Sequence, residues 1–421
     1  MVTVPNRGDA GLRHALPLVI AGFVISFVLV GGGIDTVSVF INAIGRATDW
    51  SRSGLSLAVS IGALSAALST PLVGVAVDRF GVRVPMTAGV ALLATGFCVV
   101  IVMDAVWQFA AANVFLGAGF AACALLPITV AVTVQVPDRT ALALGIVTAG
   151  SSAGALVLAP VSQAVIDAFG WRGAYMVMGP VVVLTPLPFL AVALPRGRLP
   201  RGGLRRDPPP HPDAPARLRP SVMSDLRRPG VAALAAIMIL PALASFSIAV
   251  HLVPYLTGLG HAATTAAAAL GTTIGISAIG KVAGGFLGDR IGVVRTVRLA
   301  LALWTVALVL LSRAAELPAL GGFVALYGLA LGTQIAVIPA IAVNILGAER
   351  FGTLFGILQL AAMLASALGP ITSGLIFDRT GGYGGALWLW LAAMLSAAVV
   401  AFWMGGAGSS EVTRSQGREV V

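Results

Sequence analysis

Twelve stretches of this chain are apolar for long enough to cross a lipid bilayer, and any fold must surround all of them with other apolar groups. They fall at about 15–44, 51–77, 84–103, 107–133, 139–167, 173–194, 229–257, 262–288, 294–312, 317–345, 351–377 and 383–406. A helical span takes roughly 20 apolar residues, since an α-helix rises about 1.5 Å per residue through a hydrocarbon core about 30 Å thick. Only 10% of the 421 residues are charged, where an ordinary soluble domain carries about 25%. A water-soluble fold cannot cover its surface with so few charges. The expected fold class is therefore an all-α polytopic membrane protein of twelve transmembrane helices. Cys98 and Cys123 lie within apolar runs and read as small packing residues, which excludes a disulfide scaffold. The first apolar run, after His14, is too long for a cleavable leader and is expected to stay as a span.

Lys and Arg number 26 against 16 Asp and Glu, a net charge of +10. Such an excess suits a nucleic-acid binder only when it gathers on one surface. Here the arginines lie between apolar runs, and mostly between alternate ones. Twenty fall on one side of the predicted membrane, among them Arg7, Arg13, Arg79, Arg83, Arg139, Arg350 and nine between Arg196 and Arg228. Arg46, Arg52, Arg172, Arg313 and Arg379 fall on the other. Cytoplasmic loops carry the positive excess, so both termini and the central segment are assigned to the cytoplasm. The reading is a multi-pass protein of the inner (plasma) membrane whose basic charge sets its orientation in the lipid bilayer; no nucleic acid is expected.

The segment 195–228 is crowded with Pro and Arg, as in Pro208-Pro209-Pro210 and Arg205-Arg206, and cannot bury a core. It divides the chain into a six-helix bundle at 1–194, a cytoplasmic linker at 195–228, a second bundle at 229–406 and a cytoplasmic tail at 407–421. The halves repeat. Gly74, Asp78, Arg79 and Gly81 close span 2, and Gly285, Asp289, Arg290 and Gly292 close span 8, each 211 residues later. Gly117 and Gly328, Arg139 and Arg350, Gly145 and Gly356, and Asp167 and Asp378 keep the same offset. An even number of spans per copy gives both halves one orientation, a parallel repeat of the kind that surrounds a central site and exposes it alternately to each side.

With twelve spans and a basic central loop, the doubled Gly-x-x-x-Asp-Arg-x-Gly pattern resembles the major facilitator superfamily over essentially the whole chain. The resemblance implies a gate at the cytoplasmic rim. Gly74 and Gly285 would let helices approach closely, while Asp78 and Asp289 would meet helix N-termini or arginines. Arg79, Gly81, Arg139, Arg290, Gly292 and Arg350 belong to the same rim. Finer stretches, Trp50-Ser51-Arg52, His251-Leu252-Val253-Pro254-Tyr255 and Gly280-Lys281, resemble the bacterial monocarboxylate and oxalate/formate porter branch. That branch usually has arginine at the place of Lys281, where it holds the substrate carboxylate. This chain departs from it in other ways: Gly258 stands where the branch has a carboxylate after Pro-Tyr, and Asp35 stands where animal monocarboxylate transporters carry a lysine. The drug/proton antiporter branch fits less well, with Asn113 before Gly117 in place of its arginine.

Independently of any family, Lys281 is the only lysine and lies inside a span, about eight residues, or roughly 12 Å, from its cytoplasmic end. A charged side chain at that depth costs about 2.5–3.5 kcal/mol on insertion scales and normally faces a cavity with a function. Asp35, in span 1, is the other deep charge, with a charge pair to Lys281 as one reading. His251, a group that titrates at about pH 6.5 when free, joins Asp35 and Lys281 as a proton-coupling candidate. Tyr383, Asn113 and Tyr327 join Lys281 and His251 as candidates to complete a carboxylate site. The four histidines have no paired spacing and no metal cluster, cofactor or catalytic constellation is expected, so an enzyme or a non-transporting sensor is disfavoured. The expectation is a secondary transporter, working as a monomer, for a small organic anion. A monocarboxylate such as lactate or pyruvate, moving with a proton, leads. Anion exchange and export of a hydrophobic or cationic compound stand as alternatives.

Overall fold

The computed structural model describes residues 7–34, 36–48, 50, 52–190, 222–346 and 351–416, and every regular element among them is helical. The chain forms two compact units, residues 1–211 with 346–360 and residues 212–345 with 361–421. In the first, α1 (Arg7–Ile25) runs into a π segment (Ser26–Ile34), followed by α2 (Val37–Ala47), α3 (Arg52–Phe80), α4 (Arg83–Val102), α5 (Val106–Cys123), α6 (Leu125–Gln135) and α7 (Thr140–Leu184). The second contains α8 (Val222–Leu226), α9 (Pro229–Gly258), α10 (Ala263–Ile291), α11 (Val293–Leu311), α12 (Leu317–Leu346), α13 (Phe351–Thr380) and α14 (Gly384–Gln416). The start of α13, through Leu360, belongs with the first unit.

Among the described residues eleven helical stretches are long and apolar enough to cross a membrane. One of them, Pro137–Pro188, is 52 residues long, about twice the length of a crossing. Gly170 interrupts it at φ 69 and ψ 173, so it makes two crossings and the total is twelve. Large apolar side chains such as Leu72, Leu156, Trp388 and Trp403 lie exposed on these helices, as lipid contact requires.

Two spans expected to be continuous are broken. Span 4 divides into α5 and α6 at Ala124, whose φ of −91 and ψ of −128 leave the helical region. Pro127 explains the break: it offers no N–H to the carbonyl of Cys123, four residues earlier, and its ring crowds that carbonyl. Span 1 changes to a π-helix at Ser26 and ends as one at Ile34. The three glycines Gly31–Gly33 there have weak α-helical preference, and π segments are rare elements that cluster at functional sites. Each glycine also faces a neighbour with no room for a side chain: Gly31 meets the backbone of Ser151 and Gly154, Gly32 meets Leu158, and Gly33 meets the ring of Phe120.

The 211-residue repeat seen in the sequence extends to contacts. A Cβ on Gly117 would overlap the Gly62 carbonyl, and one on Gly328 would press on the Thr273 carbonyl. Gly32 lies against Leu158 in the first unit, and Leu243 against Gly369 in the second. These are the same two positions with the glycine on the opposite partner. Glycines in the left-handed region pair in the same way: Gly81 (φ 78) with Gly292 (φ 92), and Gly170 (φ 69) with Gly381 (φ 69). The first pair ends α3 and α10. Asp78, Arg79, Asp289 and Arg290 therefore lie in the last helical turn, just beyond the span ends expected at 77 and 288.

Candidate functional site

A polar stripe runs along α9. Ser247, His251 and Tyr255 are four residues apart and share one face of a largely apolar helix. All three side chains reach other elements of the second unit. Ser247, fully buried, donates to the Gly369 carbonyl at 3.1 Å and shares a 2.6 Å hydrogen bond with Ser373. Ser373 in turn accepts from the Trp390 indole N–H at 3.1 Å. Tyr255 donates its hydroxyl to the Leu311 carbonyl at 2.9 Å.

His251, half-buried, bridges two partners: Nε2 lies 3.0 Å from the Pro370 carbonyl and Nδ1 lies 3.1 Å from the Tyr383 hydroxyl. A carbonyl can only accept, so Nε2 carries the hydrogen, and in the neutral ring Nδ1 accepts from Tyr383. Tyr383 is further enclosed by the rings of Phe377 and Tyr255, with centroids at 4.6 and 5.8 Å. It lies in the turn before α14, where burial first and the Asp378 carboxylate second push its phenol above the usual tyrosine range. The hydroxyl therefore stays protonated near neutral pH and can serve as the donor.

Lys281 lies deeper. It is 4% exposed, on α10 at the point where α12 crosses. The crossing is tight because it is built from glycines: Gly332 abuts the Ser277 carbonyl and the Lys281 backbone nitrogen, Gly280 abuts Leu329, and Gly284 abuts Thr333. The Thr333 hydroxyl donates to the Gly280 carbonyl at 3.2 Å. Counted from the turn joining α9 and α10, His251 is about 10 Å down its helix and Lys281 about 27 Å down the next. The two candidates thus occupy different depths. Tyr327 packs among aromatic rings, stacked on Phe323 at 5.1 Å and edge-on to Trp304 at 5.1 Å. Asn113 belongs to the first unit, where its amide donates to its own helix at the Phe109 carbonyl (2.9 Å) and its side chain fills the space over Gly62. Asp35 and Arg350 lie outside the described residues.

At the motif after span 2, the Asp78 carboxylate accepts three hydrogen bonds from the start of α13: Gly352 N–H at 3.0 Å, Thr353 N–H at 2.7 Å and the Thr353 hydroxyl at 2.6 Å. The first N–H groups of a helix have no intrahelical acceptor and carry the positive end of its dipole, so a carboxylate is the suited partner. Gly74 makes the approach possible, since a Cβ there would overlap the Gly352 carbonyl. Arg139 ends the 3-10 turn before α7, and Arg290 lies over the Phe286 ring at 4.7 Å.

The first unit has a corner equivalent to that of His251 and Tyr383. Arg172, which stands 211 residues before Tyr383, donates to the Met103 carbonyl at 2.6 Å and pairs with Asp104 at 2.7 Å. Beside it a cavity of about 290 Å³ is lined by Arg46, Gln163, Asp167 and Trp171 among others.

His251 and Tyr383 each stand out in the sequence, but neither their contact nor the Ser247–Ser373 bond is visible there. The four-residue spacing of Ser247, His251 and Tyr255 was the available signal.

The chain matches the family model of the Major Facilitator Superfamily over residues 23–283 and 259–419. Human monocarboxylate transporter 11 is 29% identical over 351 residues, covering 79% of this chain and 69% of the transporter. The Bacillus subtilis MFS-type transporter YcxA is also 29% identical, over 362 residues, covering 79% of this chain and 81% of that protein. A crystal structure of the E. coli fucose:proton symporter FucP superposes with a TM-score of 0.71 at 17% identity, covering 94% of this chain and 99% of that one, a likeness of fold. The repeat, the twelve crossings and these matches together make the chain a member of the Major Facilitator Superfamily, a secondary transporter and not an enzyme.

Proposed function

We propose that this chain carries a small monocarboxylate, such as lactate or pyruvate, together with a proton. The observation that carries the reading is the burial of Lys281, 4% exposed on a membrane-crossing helix. An ammonium so placed gains Coulomb energy when an anion arrives in a poorly screened site, and a lysine is a compact point charge that suits one small carboxylate. The relatives named as monocarboxylate transporters support the same substrate class. His251 is the leading group to take the proton, with Asp35 and Lys281 as the other candidates. The Asp78 contact with α13 serves in this reading as a cytoplasmic latch, closed in one state of an alternating-access cycle and broken in the other. Arg79, Arg139 and Arg350, with Gly285, Asp289, Arg290 and Gly292 in the second copy of the motif, complete the gating set. Both termini face the cytoplasm, and one chain is the working unit.

The test is uptake of labelled lactate and pyruvate by the purified protein in liposomes, with and without a pH gradient. Accumulation driven by external acid supports the reading. Uptake that equilibrates without regard to the gradient contradicts proton coupling, and failure to move any of a panel of monocarboxylates contradicts the substrate class.

A further inference from the structure

The two units share backbone positions but differ in what holds their outer corners. In the first, Arg172 clamps the Met103 carbonyl and Asp104, and a guanidinium keeps its charge at every physiological pH. In the second, the position 211 residues later is Tyr383, and the clamp is a hydrogen bond between Tyr383 and His251. An imidazole is a side chain that can gain a proton, and with it a charge, in the physiological pH range. The second corner can therefore respond to pH where the first cannot.

The response follows from the two ring contacts. Nε2–H is committed to the Pro370 carbonyl in either charge state. When a proton from the medium binds Nδ1, that nitrogen changes from acceptor to donor, and its hydrogen takes the place between Nδ1 and the Tyr383 oxygen. The Tyr383 hydroxyl hydrogen must then turn away from the ring. No covalent bond breaks in Tyr383; one proton enters from solution and one O–H changes direction. The titratable groups around the pair among the described residues are Tyr255, one turn along α9 with its hydroxyl already committed to Leu311, and Asp378, at the end of α13. His261, on the turn beyond α9, is committed to the Ala314 carbonyl at 2.6 Å.

We propose that Tyr383 is the positioning residue that converts the charge of His251 into a hydrogen-bond donor for the incoming carboxylate. On its way to Lys281 the anion then meets an O–H donor and an imidazolium together only after the proton has bound, which makes the affinities for proton and anion at this corner reciprocal. The inference rests on the reading of the chain as a proton-coupled anion carrier and assigns that coupling to one hydroxyl.

Tyr383→Phe in the full-length protein tests it, with labelled lactate as the probe and uptake measured from about pH 5.5 to 7.5, a range that brackets a free imidazole. The expected result in the parent protein is a KM that falls by about fivefold or more towards acid, within the tenfold per pH unit that one linked proton allows. In Tyr383→Phe the KM should change by less than about twofold over the same range. A Tyr383→Phe protein with the parent's pH slope overturns the proposal. A parent protein without acid-stimulated uptake overturns both this proposal and the function it rests on. Nitrogen NMR of labelled histidine gives a readout that does not depend on transport. Neutral His251 should be the Nε2–H tautomer, and its titration midpoint should move in Tyr383→Phe; an Nδ1–H tautomer or an unmoved midpoint overturns the proposal.

Discussion

The Asp78 carboxylate holds Thr353 twice, accepting its backbone N–H at 2.7 Å and its hydroxyl at 2.6 Å. These residues are 275 positions apart in the chain, and one lies in each copy of the six-span repeat. The bond therefore ties span 2 to the first turn of span 11. Its strength comes from charge on the acceptor and orphan donors on the helix end, both of which act over a short range.

Hydrogen bonds to a charged group contribute about 1.5–3 kcal/mol each, so Asp78→Ala should weaken the latch most. Asp78→Asn keeps an acceptor oxygen without the charge and should be intermediate. Thr353→Val loses only the hydroxyl bond and should be mildest. In liposome uptake the expected order of loss is Ala, then Asn, then Val, with the alanine variant down about tenfold or more, since about 1.4 kcal/mol is a factor of ten. Equal activity in all three would remove Asp78 from the gate.

The glycine contacts predict a contrast that needs no substrate. Gly117→Val and Gly328→Val each force a side chain onto a facing carbonyl, and overpacking of this kind costs about 1–3 kcal/mol or more. Both should lower the yield of monodisperse protein and its melting temperature. Gly271→Ala and Gly321→Ala place a methyl where nothing lies within 4 Å. They should be neutral or stabilising by about 0.4–1 kcal/mol through the unfolded chain, and a melting scan of all four variants checks the sorting.

Ser247→Ala leaves Ser373 with one fewer partner in a fully buried position. An unsatisfied buried polar group costs about 1–3 kcal/mol. The melting temperature should fall, whereas Ser247→Ala with Ser373→Ala should lose less than the sum of the two single changes, because the pair shares one bond. Additive losses would mean that the serines do not act together.

Much of the architecture was legible because span length and the 211-residue offset are written in residue types: Gly74 and Gly285, Asp78 and Asp289, Arg139 and Arg350 each announce their counterpart. The break at Ala124 was legible in principle from Pro127, but an apolar run of the right length hides it. The π segment was not legible, since Gly31–Gly33 state only that the backbone is free to leave the α-helix. Asp78 shows its charge in the sequence but not its partners, because two of the three donors it takes from α13 are backbone N–H groups of Gly352 and Thr353, and every residue but proline has one. His251 and Tyr383 each looked functional alone. At 132 positions apart in the chain, only the fold could bring them into contact, and the same fold puts Lys281 at a different depth.

Uptake of labelled lactate by Lys281→Ala and Lys281→Arg tests most directly the proposed meeting of Lys281 with the carboxylate of the substrate. Removing the ammonium should abolish proton-driven uptake in the alanine variant while the protein still folds, and the arginine variant, which restores a cation, should recover part of the activity with an altered KM. Uptake at the parent rate and KM in Lys281→Ala would contradict the account.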